Sequence, residues 1–179
     1  MREGKTLYVV VCAAGPADDV ATLINQAHQR GWTVQVIATP QALAFINTDA
    51  LHEQTGRVVR SAHGGPRSPR ADAIIIAPAS FNTINKLACG IADTYALDVV
   101  NEAIGLGIPL VVLPFVNAAY ARRAPLLNSV AELRAEGVSV LLGPGGFEPH
   151  EPGGGTEARS RFPWKHALDT LDDRCGPDV

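Results

Sequence analysis

The sequence predicts an α/β fold, a three-layer sandwich with helices on both faces of a parallel sheet of about five strands. Two observations carry that expectation: short β-branched runs recur along the chain, and the stretches between them repeat apolar residues at helical spacing. The first run is TLYVVVCA, residues 6–13, which stops at Gly15-Pro16 as a strand buried on both faces does. Val20, Leu23, Ile24 and Ala27 then fall at i, i+3, i+4 and i+7, and Gly31 supplies a left-handed stop, so an amphipathic helix follows. WTVQVIAT, residues 32–39, is a second strand, with a new helix start at Thr39-Pro40. The pattern returns in ADAIIIAPA at 71–79, IPLVVLP at 108–114 and VSVLLGP at 138–144, each next to a helical segment. Right-handed crossovers then place helices on both faces, the Rossmann-like (flavodoxin-like) arrangement. Such sheets bind ligands outside the carboxyl ends of their strands.

Composition narrows the function classes. A length of 179 residues suits one domain, residues 1–179. Charged residues make up 18%, below the roughly 25% usual in soluble domains, which predicts surface buried in an oligomer. A net charge of −3 lacks the basic field of a nucleic-acid binder. Cys12, Cys89 and Cys175 are too isolated for a disulfide framework or a paired zinc site, so no metal is expected and a reducing cytoplasm is. No apolar run reaches the ~20 residues of a membrane span. The opening MREGKTLYVVVCAAG does not read as a signal peptide, so no membrane partner is expected.

Two stretches break the pattern. They are SAHGGPRSPR, residues 61–70, and residues 143–161, where six Gly and three Pro argue against an ordinary helix or strand. The second is either a disordered loop or a lid over a site. Beyond it, Pro163 fits a first helical turn and Trp164, Ala167, Leu168 and Leu171 form an apolar stripe, which predicts a docked terminal helix over 163–173.

Chemistry concentrates after the third strand. In APASFNTINKLACGIADT, residues 77–94, Ser80 can cap a helix, and Ser80, Asn82, Thr83, Asn85 and Lys86 crowd its first two turns. Free N–H groups and the helix dipole there suit an anion or an electron-rich ring. These residues resemble the homo-oligomeric flavin-containing cysteine decarboxylases. The family signature Pro-Ala-Ser-Ala-Asn-Thr, followed by a helix ending in Gly-x-x-Asp, corresponds to Pro78-Ala79-Ser80-Phe81-Asn82-Thr83 with Gly90 and Asp93. Phe45-Ile46-Asn47-Thr48-Asp49 is similar to the lantibiotic branch, and the element order matches from about residue 6 to 172.

The resemblance implies FMN wedged between subunits of a homotrimer or an assembly of trimers such as a homododecamer. The 96–107 segment is then a candidate interface helix. By position it implies that Gly15 lies in the phosphate loop, Thr39 holds the phosphate, Phe45 flanks the flavin, and Pro78, Ala79, Ser80, Asn82 and Thr83 meet the ring. Core packing is the alternative for Phe45, and a helix cap the alternative for Thr39. For Pro114-Phe115-Val116-Asn117 the resemblance implies that Asn117, at the position of the family's Asn, binds the substrate carboxylate. The catalytic base corresponds to His63, although His63 precedes Asp72 by nine residues, one more than the family spacing, and GGPRSPRA between them cannot be a regular helix. A loop histidine is the alternative.

The remaining histidines fit the role less well: His28 on helical surface, His52 after the second helical segment, His166 in the terminal helix, and His150 within reach of the site from the Gly-rich loop. Two further departures matter. The first loop reads Ala13-Ala14-Gly15-Pro16-Ala17 where the family has a phosphate-binding Ser, and Asp18 and Asp19 repel a phosphate unless they point away. Residues 143–161 contain no Cys, whereas phosphopantothenoylcysteine decarboxylases carry one after strand five to reduce the enethiol; the lantibiotic type lacks it. The reading is an FMN-dependent oxidative decarboxylase of a small-molecule or peptide substrate containing cysteine, with a peptide C-terminal Cys as one candidate. The alternatives are an FMN enzyme acting on another substrate and a non-catalytic flavin-binding or regulatory protein.

Overall fold

β1 (Thr6–Val11) shows why the sheet is sandwiched: all six residues are buried. Leu7, Val9 and Val11 enter one core, while Tyr8, Val10 and Cys12 enter the other. Alternate side chains leave opposite faces of a strand, so a continuous apolar run needs cover on both. The computed structural model describes residues 4–65 and 68–176. Beside β1 lie β2 (Thr33–Ala38), β3 (Ala73–Ala79), β4 (Leu110–Pro114) and β5 (Ser139–Val140), all parallel in the order β2-β1-β3-β4-β5. Val9 sits between Val36 and Ile75, which sets the register at the centre. The order reverses at β1 and β3, the switch point where such sheets bind ligands.

The helices are α1 (Ala21–Gln29), α2 (Thr48–Thr55), α3 (Phe81–Ala88), α4 (Tyr95–Gly105), α5 (Ala118–Ala121), α6 (Ala124–Ala135), α7 (Gly155–Ser160) and α8 (Trp164–Cys175). α1 and α8 cover one face with Leu23, Ile24, Leu168 and Leu171, all fully buried. α3, α4 and α6 cover the other with Ile84, Leu97, Val100 and Leu126. Each such side chain contributes roughly 1.5–3 kcal/mol by leaving water. Arg30 also clasps Asp169 and Asp172, both at 2.7 Å, tying α1 to α8. The Lys165 and Arg30 cations hold the Asp169 carboxyl below its ordinary range.

The five strands and the terminal helix fall where the sequence placed them, with trimmed ends. Asp72 stands just outside β3, and its Oδ2 accepts the Thr6 N–H at 2.7 Å, pinning the start of β1. Two expectations need correction. The chain behind Thr39 makes a 3-10 turn at Pro40–Ala44 and becomes helical at Thr48, capped by Asn47, so His52 lies within α2. The Gly-rich stretch does hold a helix, α7, because Thr156–Ser160 contains no Gly or Pro to stop one.

Candidate functional site

The carboxyl ends of β1, β2, β3 and β4 open onto one cleft. A cavity of about 360 Å³ is lined by Ala14, Phe81, Phe115, Asn117 and His150. An adjoining one of about 500 Å³ adds Thr39, Gln41, Thr83 and Lys86, and the two share Ala13, Ser80 and Asn82. Ser80 opens α3: its Oγ accepts the Thr83 N–H at 3.2 Å and lies 3.0 Å from Thr83 Oγ1. Cys12 is buried beneath them, and burial pushes its thiol up against the opposing hydrogen bonds of Thr83 and Ser80. It therefore stays a neutral, small core side chain. Asn82, in the first turn of α3, is exposed to the cleft. Thr39 is 6% exposed, and its side chain makes no cap bond to the 3-10 turn, so the capping alternative does not hold for it.

Asn117 caps α5 through Oδ1, which accepts the Tyr120 N–H at 3.0 Å. With Oδ1 engaged, the amide NH₂ is the part left to donate into the cleft. The Gly-rich loop meets it there. His150 forms a parallel bridge with Asn117, and its carbonyl accepts the Ala118 N–H at 2.7 Å. The His150 ring lies 5.0 Å from Phe115, which in turn lies 5.3 Å from Phe147 and 5.7 Å from Phe162. Phe147 is buried, and Gly146 is required beside it, since a Cβ there would stand 2.5 Å from the Leu141 carbonyl. Glycine at 15 has a similar reason: a Cβ would come within 3.0 Å of the Phe115 ring.

The loop is also tied by charge. Arg159 of α7 pairs with Asp18 and with Asp19, the latter at 3.2 Å from Nε. The Asp19 and Asp18 carboxylates raise the guanidinium's affinity for its proton. Both acids that follow the first loop are thus occupied by a cation.

The other sequence candidates are placed differently. Pro78 and Ala79 are buried in β3, after a cis Ala77–Pro78 bond, and act through carbonyls that accept the Cys12 and Phe115 N–H groups. Phe45 is 45% exposed at the end of the 3-10 turn and does not line the cleft; core packing is excluded for it. His63 stands in a separate hollow of about 630 Å³ with Tyr8, Arg60, Arg70, Tyr95 and Asp98. That hollow shares no lining residue with the cleft, so one chain does not bring His63 and Asn117 together. No helix turn holds His63, in keeping with the Gly and Pro around it. His150, given only a visiting role by its sequence position, is a fixed wall of the cleft; the bridge to Asn117 joins residues 33 positions apart and leaves no local signal.

The cleft suits a flavin nucleotide. Phe81, Phe115 and Tyr120 give apolar walls for a ring, and Thr39, Gln41 and Thr83 offer hydroxyl and amide groups for a polar tail, while the Lys86 ammonium is paired with Asp93 on the same wall. The sequence profile of a family described as Flavoprotein matches residues 1–157. The coenzyme A biosynthesis bifunctional protein CoaBC of Thermococcus kodakarensis is 25% identical over 147 residues, 77% of this chain and 36% of its own length. The chain thus spans about a third of that curated relative. Among solved structures, the FMN-dependent cysteine decarboxylase SpaF superposes with a TM-score of 0.72 at 21% identity, covering 96% of this chain and 99% of SpaF. TvaF, an FMN-dependent cysteine decarboxylase from thioviridamide biosynthesis, gives 0.72 at 24% identity, covering 94% and 98%. Among the described residues, no helix is long and apolar enough to cross a membrane.

Proposed function

Because the chain belongs to the flavoprotein family, we propose that it is an FMN-dependent oxidative decarboxylase of a substrate ending in cysteine, a peptide C-terminus included. The observation that carries this reading is the cleft at the strand ends, where the α3 start and the Asn117 amide face one space. Its likeness to SpaF and TvaF, FMN-dependent cysteine decarboxylases, supports it. Thr39 and Gln41 hold the phosphate end, and Ser80, Asn82 and Phe81 meet the ring. FMN supplies a two-electron acceptor there. The Asn117 NH₂ donates to the substrate carboxylate and keeps it aligned and out of water until carbon dioxide leaves. The His150 loop closes the same side.

His63 serves as the base, and since its hollow is separate from the cleft, a second copy of the chain delivers it. The low charged fraction, and Leu106 standing 57% exposed at the end of α4 beside the hollow, support a homo-oligomer with α4 at the contact. The test is FMN titration followed by incubation with cysteine-ended peptides. Tight, saturable FMN binding and loss of carbon dioxide plus two hydrogens from the peptide are expected. Protein that binds no FMN would remove the reading. Binding without turnover of any cysteine peptide would favour a flavin protein with another substrate or none.

A further inference from the structure

The base has a partner of its own. His63 Nε2 lies 3.0 Å from Asp98 Oδ2, and the edge of its ring meets the Tyr95 ring at 5.2 Å and 85°. Tyr95 and Asp98 are one turn apart at the start of α4, so a single helix face presents both. Thr94 caps that turn by accepting the Leu97 N–H, and the helix start favours a charged carboxylate at Asp98. Other charged or titratable groups around the hollow are Tyr8 from β1, Arg60 and Arg70 from the flanking loop, and Glu102 from α4. Arg60 stacks over Tyr95 at 5.1 Å and donates to the Gly64 carbonyl, bracing the loop that carries His63.

We propose that Asp98 is the positioning residue for His63: it accepts the Nε2–H bond and so leaves the lone pair on Nδ1 to take the substrate proton. The inference rests on His63 being the base. In a neutral imidazole one nitrogen donates and the other accepts, so a carboxylate at Nε2 selects the tautomer with its basic site at Nδ1. In the step itself the substrate S–H bond breaks, its electron pair stays on sulfur, and the proton binds Nδ1. Asp98 keeps its charge throughout and stabilises the imidazolium that forms. Tyr95 restricts the ring's rotation from the side. The two exposed side chains, 67% and 55% accessible, add little to folding, so this contact is suited to orientation rather than stability.

The test compares wild type with Asp98→Asn, Asp98→Glu and His63→Asn. Nitrogen-15 NMR of the FMN-loaded protein reads the His63 tautomer and needs no substrate: wild type is expected to carry its proton on Nε2, and Asp98→Asn to show a mixture or the reverse. Decarboxylation of a cysteine-ended peptide is expected to fall at least roughly tenfold in kcat with Asp98→Asn, with KM and the melting temperature little changed, and to recover in part with Asp98→Glu. An unchanged tautomer in Asp98→Asn overturns the inference. If His63→Asn turns over peptide like wild type, the base assignment itself falls.

Discussion

The strand-end cleft and the His63 hollow lie in the same chain but are built in opposite ways. The cleft stands on the ends of four strands, a capped helix and a buried aromatic cluster, so its side chains are held by the core. The hollow is a loop laid against α4, held by the exposed His63–Asp98 hydrogen bond, the His63–Tyr95 ring contact and the bracing of Arg60. The difference teaches that binding and proton transfer ask for different supports. Under the proposed function, a cofactor needs a preformed wall, while a base delivered to a neighbouring copy has only to be aimed.

The sharpest way to break that comparison is complementation. His63→Asn and Asn117→Asp are each expected to lower kcat by about a hundred- to ten-thousand-fold. Asp keeps the Oδ1 that caps α5, so the second variant loses the amide donor and not the helix. Co-expressed in one oligomer, the two should regain activity in an assay with cysteine peptides. No recovery would mean the clefts do not combine across copies.

Stability should separate the regions next. Phe147→Ala removes a buried ring from the aromatic cluster and is expected to cost about 3–5 kcal/mol in urea unfolding. Ser80→Ala, which deletes the α3 cap, should cost about 1 kcal/mol. Arg159→Gln frees Asp18 and Asp19 beside the first loop, and FMN titration should show weaker binding together with faster proteolysis of 143–161.

The smallest effect concerns pH. Burial raises the folded-state Cys12 thiol above its ordinary 9.0, so its contribution to stability is full below that value and declines as pH climbs toward the folded value. Denaturant midpoints measured across the alkaline range should fall, and Cys12→Ala should remove part of that slope. Tyr8, also raised chiefly by burial, accounts for another part.

Much of this was readable from local pattern. β-branched runs such as AIIIAPA must be buried on both faces, and that alone demands a parallel sheet with helices above and below. Ser80 and Asn82 follow such a run directly, so chain order places them at the strand end, where ligands bind. Thr39 does the same after β2.

Contacts between distant segments had no such signal. Arg159 reaches Asp18 across 141 positions, and His150 meets Asn117 through backbone hydrogen bonding that no side-chain pattern announces. The α7 turn was hidden by the glycines before it. The pairing of His63 with Asp98 depends on where α4 packs against the sheet. Sequence by itself thus determined the layers, the strand ends and the residue types waiting there, because hydrophobic periodicity and caps act over a few residues. Only the tertiary structure decided that the acids after the first loop are paired with Arg159, that His150 is a wall, and that His63 and Asn117 face different cavities, because those depend on how elements far apart in the chain are packed.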